Sequence, residues 1–139
     1  METADVRKHL LRTIEHVKHR AAERRARNDE AANAFEVLLN RTAVPLFRQV
    51  ANILKAEGIA FTVFTPTGSV RMMSDRSTED FIELSLDSDG ETPQVMGHTS
   101  RKRGSRVIQS EQAIGAPETI TEEGLLEFLT KAIERFVER

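Results

Sequence analysis

The sequence predicts an α+β domain with a long N-terminal helix and a second helix, an antiparallel meander sheet of four to five strands, and a C-terminal helix packed on the sheet. Three observations support this fold class. Residues 4–39 contain neither Gly nor Pro and favour one long helix. After Gly58 the apolar residues follow a period of two, and after Thr121 they return to helical spacing. The 139 residues have the size of one domain, with a charged helix in residues 1–40 and an α+β core in residues 41–139.

The first helix carries apolar residues at alternating spacings of four and three, which is a heptad repeat. Arg24 and Asn28 interrupt this apolar stripe in its middle. One interpretation is that an Asn at a core position sets the register of a coiled coil; the other is that this part of the helix projects into water. The interface residues that we predict on this helix are Leu10, Ile14, Val17, Asn28 and Phe35.

The flanks of the stripe are basic. Residues 16–27 hold five Lys and Arg side chains against one Glu. In a parallel pair of helices Arg20 would face Arg25 of the partner, and the two charges would repel. An antiparallel pair, or packing on an acidic surface, suits this helix better. Residues 75–91 are such a surface, because they hold seven Asp and Glu side chains against one Arg.

The long helix is expected to end or kink near residues 39–45. Asn40 is predicted to take a left-handed cap, Thr42 to cap a new helix, and Pro45 to occupy its first turn. The second helix then spans about residues 43–57. Gly58 is predicted to end that helix with a glycine cap.

Segments with strand periodicity follow, separated by short turn sequences. The predicted strands are residues 59–65, 69–74, 81–86, 94–100 and 105–111. The sequence RKRG between the last two strands is predicted to be the tip of a hairpin. Thr121 is predicted to be the N-cap of the C-terminal helix. The two glutamates that follow it place negative charge at the positive end of the helix dipole, which stabilises the helix.

Composition and spacing argue against several kinds of site. The chain has no Cys and therefore no thiolate ligand or nucleophile. His16 and His19 share a helix face, but the neighbouring Lys18 and Arg20 would repel a cation, so we expect neither a metal nor a cofactor. His98 stands alone in a strand without a recognisable catalytic motif. No apolar run approaches the length of a bilayer, so we expect no membrane partner and a cytoplasmic protein.

Two basic clusters are candidates for contact with a polyanion or an acidic partner. They comprise Arg20, Arg24, Arg25 and Arg27 on the first helix, and Arg101, Lys102 and Arg103 at the predicted hairpin tip. Phosphates of a nucleic acid would suit both clusters. The net charge of −2 and the pI of about 6.1 argue against this, since nucleic-acid-binding domains are usually basic.

The leading functional hypothesis is therefore a non-enzymatic, homodimeric interaction or regulatory protein whose long helix contacts a second copy or another protein. The first alternative is a nucleic-acid-binding protein that uses the Arg-rich helix and the basic hairpin at residues 101–106. The second is an enzyme or small-ligand binder with a site in the groove of the sheet. Replacement of Ile14 by Asp is expected to change the oligomeric mass without unfolding the sheet.

Overall fold

The helices and strands follow one another in the predicted order in the computed structural model, which describes residues 1–138. They are α1 Thr3–Leu38, α2 Val44–Ala56, β1 Phe61–Phe64, β2 Ser69–Ser74, β3 Phe81–Asp87, β4 Gln94–Arg103, β5 Arg106–Gly115 and α3 Glu122–Val137. The α+β prediction is confirmed. Arg139, the last residue of the predicted core, lies outside the described residues.

A π-helical turn, Leu39–Ala43, joins α1 to α2 without a break, and the N–H of Val44 donates to the carbonyl of Leu39. The predicted caps at this junction are wrong. Asn40 does not take a left-handed conformation, because no non-glycine residue among those described has a positive φ. Thr42 does not cap α2, which has no side-chain cap. In a regular α-helix the ring of Pro45 would clash with the carbonyl four residues before it, and the wider π turn relieves this contact and lets the helix continue.

The five strands form one antiparallel sheet in the order β1-β2-β3-β4-β5. The last hairpin is longer than predicted. Arg103 pairs with Arg106, so the turn consists of Gly104 and Ser105, and Gly104 takes a φ of +65°. Arg101 and Lys102 therefore lie within β4 and not at the hairpin tip. A two-residue turn needs a positive φ that Gly adopts readily, whereas the basic residues before it fit a strand.

The core lies between one face of the sheet and the helices α2 and α3. It joins α2, the C-terminal end of α1, alternate residues of β1 to β4, and the apolar face of α3. The predicted caps of the two helices that cover the sheet, Thr121 before α3 and Gly58 after α2, are both confirmed. The hydroxyl of Thr121 accepts a hydrogen bond from the N–H of Gly124 at 3.0 Å. Gly58 has a φ of +84°, and the next N–H, of Ile59, donates to the carbonyl of Leu54 at 2.8 Å.

Helix α1 has two parts with different surroundings. Near its C-terminal end Ala31, Phe35 and Leu38 are buried in the core. Residues 3–30, called here the projecting segment, extend away from the core, and all of them except Ala21 and Asn28 are exposed. Within residues 1–138 no helix has the length and apolar character that crossing a membrane requires.

Candidate functional site

The projecting segment carries the main unpartnered apolar surface of α1. Its stripe residues Leu10, Ile14 and Val17 are 54%, 46% and 49% exposed. Asn28 is half-buried where the segment approaches the core. Phe35 is only 3% exposed and belongs to the core of its own chain. Of the five predicted interface residues, three therefore lie on an exposed helix face. Asn28 lies where the projecting segment meets the core, and Phe35 lies in the core.

A groove runs between the projecting segment and residues 87–92, which are the last residue of β3 and most of the loop to β4 and are called here the acidic turn. The groove has a volume of about 860 Å³. It is lined by Val17, Arg20, Ala21, Glu23, Arg24 and Arg27 on α1, and by Asp89, Gly90, Glu91 and Thr92 on the acidic turn. Three of the four arginines predicted to contact an anion therefore face carboxylates of their own chain, while Arg25 is not part of the groove.

Within the described residues no ion pair connects the two walls of this groove, since no carboxylate of the acidic turn pairs with an arginine of α1. The carboxylate of Asp87 accepts a hydrogen bond from the N–H of Asp89 at 2.9 Å, which holds the turn in shape. Asp89 and Glu91 line the groove and form no ion pair with another described residue, so their carboxylates can accept hydrogen bonds from further basic side chains.

The second basic cluster is engaged within its own chain. The guanidinium of Arg101 donates to the carbonyl of Arg135 at 2.6 Å, which ties β4 to α3. The ammonium group of Lys102 lies 3.8 Å from a carboxylate oxygen of Glu79. Arg103 is exposed. This cluster is at the far end of β4 from the acidic turn, and a strand of ten residues is about 30 Å long, so the structure does not bring the two basic clusters together.

The face of the sheet opposite the helices carries a row of polar residues that their spacing in the sequence does not reveal. Arg71, Glu83, His98 and Glu111 are direct neighbours across β2, β3, β4 and β5. The guanidinium of Arg71 lies 2.6 Å from a carboxylate oxygen of Glu83 and 4.0 Å from the centroid of the Phe81 ring. Strand alternation predicts which of these residues point outward, but only the register reveals that they are adjacent.

This polar row has the character of a sheet-stabilising network. Each charge in it stands next to an opposite charge or a ring, as in favourable cross-strand pairs. The ring of His98 contacts Phe81 edge-on at 5.2 Å, and its Nε2 lies 3.2 Å from Oε1 of Gln109. In the described part of the chain no three His, Asp or Glu side chains are arranged to hold a metal ion.

A second unpartnered apolar surface lies between α2 and α3, on the side away from the sheet. It is a groove of about 690 Å³. Its apolar walls are Val50, Ile53, Leu54, Leu126, Leu129, Ile133 and Val137. The polar groups at this groove are Thr130, Glu134 and Glu138, all near the C-terminal half of α3. The groove therefore lacks the converging polar groups that orient a small substrate.

Comparisons of this chain with protein-family models, with curated proteins and with solved structures found no match. A functional hypothesis for this chain therefore has to come from its own surfaces. Among the described residues, the surfaces that the fold leaves without a partner include the projecting segment, the acidic turn and the groove between α2 and α3.

Proposed function

We propose that this protein is a non-enzymatic, homodimeric interaction protein, and that the projecting segment of α1 is its dimerisation element in an antiparallel arrangement. The observation that carries the proposal is the half-exposed stripe of Leu10, Ile14 and Val17 on a helix segment that does not contact the core. Helices in proteins draw most of their stability from packing of an apolar face, and Leu10, Ile14 and Val17 remain about half exposed within one chain.

Burial of the stripe contributes a favourable free energy to association of two copies. Complete burial of a Leu, Ile or Val side chain contributes about 1.5–3 kcal/mol. The three stripe residues are about half exposed, so burial of the remainder contributes roughly 1 kcal/mol each. An interface between two copies uses each residue twice, which brings the total to roughly 6 kcal/mol before the entropic cost of association.

The next apolar position of the heptad repeat after Val17 is Ala21, which extends the stripe to four residues, and one antiparallel register pairs all four. When Ile14 of one copy lies opposite Val17 of the other, Leu10 lies opposite Ala21. The four apolar residues then face only one another, and the twofold symmetry of the pair repeats each contact. The interruption of the stripe at Arg24 falls at the two ends of this contact.

The same register separates the basic flanks. In an antiparallel pair each flank of one helix lies beside the same flank of the other helix, and the two residue numberings run in opposite directions. Lys18 then lies beside Leu11 of the second copy, and Arg20 lies beside Thr13. The long aliphatic stems of the basic residues cover the apolar contact while their charges stay in water.

Val17→Asp is expected to dissociate the dimer. The substitution places one carboxylate from each copy in the apolar contact, and we expect the dimer dissociation constant to rise by about 100-fold or more. Ile14→Asp is expected to act in the same way. Sedimentation equilibrium would measure this against the chain mass of 15.7 kDa, and thermal unfolding would show that the α+β core remains folded.

Val37→Asp is the matched control for this experiment. Val37 has the same side chain, the same exposure of 49% and the same helix as Val17, but it lies off the stripe. It is expected to leave the mass unchanged. A monomeric wild-type protein, or a dimer insensitive to Val17→Asp, would contradict the proposal. A dimer lost only in Ile53→Asp would place the interface in the groove between α2 and α3.

Nucleic-acid binding is the alternative, and the geometry supports it less well, because the arginines of α1 face the acidic turn and the second basic cluster lies at the other end of β4. We expect labelled generic duplex and single strands to show no saturable binding at physiological salt. Micromolar binding that weakens steeply with salt, and that is lost in the Arg24→Glu, Arg103→Glu variant, would favour the alternative.

A further inference from the structure

The groove beside the acidic turn points to a specific contact between subunits. We infer that Arg7 of a second copy enters this groove and, together with Arg24, binds the carboxylates of Asp89 and Glu91. The inference rests on the antiparallel dimer proposed above and identifies the contact that sets its register. Twofold symmetry places one such arginine–carboxylate cluster at each end of the helix pair.

The position of the groove supports this assignment. Val17 and Ala21 belong to the apolar stripe of α1, and both also line the groove. A second helix that covers the stripe at these two residues must therefore lie along the groove. The acidic turn forms the opposite wall, so the incoming helix contacts α1 on one side and the turn on the other.

The register identifies the residue that arrives there. With Ile14 opposite Val17, and Leu10 opposite Ala21, the next core position of the second copy is Arg7, and it lies opposite Arg24. Two arginines at one level of a helix pair repel each other unless anions stand beside them. The acidic turn supplies those anions at this level, because Arg24, Asp89 and Glu91 line the same groove.

The charges on the two walls of the groove are not paired with each other in a single chain, within the described residues. Asp89 and Glu91 form no ion pair within residues 1–138, although three arginines line the opposite wall. An arginine entering between the walls places its donors within reach of both carboxylates, since a guanidinium offers donors on several sides. The groove of about 860 Å³ has room for such a side chain and the helical turn that carries it.

The test neutralises the acidic turn and measures the dimer. We expect Asp89→Asn with Glu91→Gln to raise the dimer dissociation constant about 10-fold at low salt, and less at high salt, since Arg7 and Arg24 then repel without compensation. Adding Arg7→Gln to this variant removes one of the repelling charges and is expected to recover most of the affinity. Sedimentation equilibrium at two salt concentrations measures both effects.

Glu57→Gln with Glu118→Gln is the matched control, because it changes the net charge by the same amount at exposed sites away from the groove. If this control weakens the dimer equally, or if Arg7→Gln fails to recover affinity, the inference is overturned while the dimer itself stands. In a parallel dimer Arg7 lies near its own counterpart and far from the turn, so recovery also fails. A monomeric wild-type protein overturns the proposed function instead.

Discussion

Phe47→Ala is expected to lower the free energy of unfolding by about 3–5 kcal/mol, since removal of a buried Phe ring forfeits its transfer free energy and leaves a cavity. Phe47 lies in α2, has no exposed surface and belongs to the cluster that joins α2, the sheet and α3. Few neighbours can move in to fill the space, because Met72, Leu84 and Leu129 are also fully buried and hold their own positions. Small domains are stable by only about 5–15 kcal/mol, so this loss is a large fraction of the total.

Urea unfolding followed by circular dichroism would measure the change. The control is Ile53→Ala on the same helix, where the side chain is 59% exposed and little is buried to lose. We expect the control to change the free energy of unfolding by less than about 1 kcal/mol. If Phe47→Ala were as mild as Ile53→Ala, the side chain of Phe47 would not pack between α2 and the sheet.

Gly97→Ala is expected to destabilise the fold by about 1–3 kcal/mol or more through overpacking. Gly97 lies on β4 where α3 crosses the sheet, and a Cβ at this position would stand 2.4 Å from two carbons of the Phe128 ring. The ring has little room to withdraw, because Leu125 and Leu129 on either side of it in α3 are fully buried. The absence of a side chain at Gly97 thus sets how closely α3 approaches β4.

A double-mutant cycle isolates this contact. In the background of Phe128→Leu the smaller side chain leaves room for the added methyl group, so Gly97→Ala should cost less there than in the wild type. Gly90→Ala is the control, since its Cβ would have no neighbour nearer than the carbonyl oxygen of Thr92 at 4.0 Å. If Gly97→Ala lowered the free energy of unfolding equally in both backgrounds, Phe128 of α3 would not pack against Gly97. Neither Phe47→Ala nor Gly97→Ala should change the dimer contact, because the projecting segment lies outside the core.

The number, type and order of the elements follow from local patterns in the chain. A period of two or of 3.6 specifies which side of a segment is apolar without reference to any distant residue. Gly58 and Thr121 end and begin their helices through bonds to residues within five positions. The same local periodicity predicts the apolar stripe of Leu10, Ile14 and Val17 on α1. The role of this stripe in dimerisation remains a prediction.

Other features depend on how distant parts of the chain meet. The sequence pattern alone placed Phe35 in the same stripe as Ile14, but the fold buries Phe35 against its own core and leaves Ile14 in water. The heptad period is identical at both positions, and what differs is whether the sheet lies beside the helix. Similarly, the sequence predicts an end or a kink of the helix near residues 39–45, but it does not predict the π turn through which α1 continues into α2.

The sequence by itself determined the fold class, the helix caps at Gly58 and Thr121 and the apolar stripe of α1, because each depends on spacing within a few turns of chain. Only the tertiary structure decided that the acidic turn faces the arginines of α1, and that Arg71, Glu83 and His98 form one row across the sheet. Arg24 and Asp89 are some 65 residues apart, and the sequence does not indicate how close two such distant charges lie in space. Strand register and the direction in which α1 leaves the core bring them together, and both are set by packing of the whole chain.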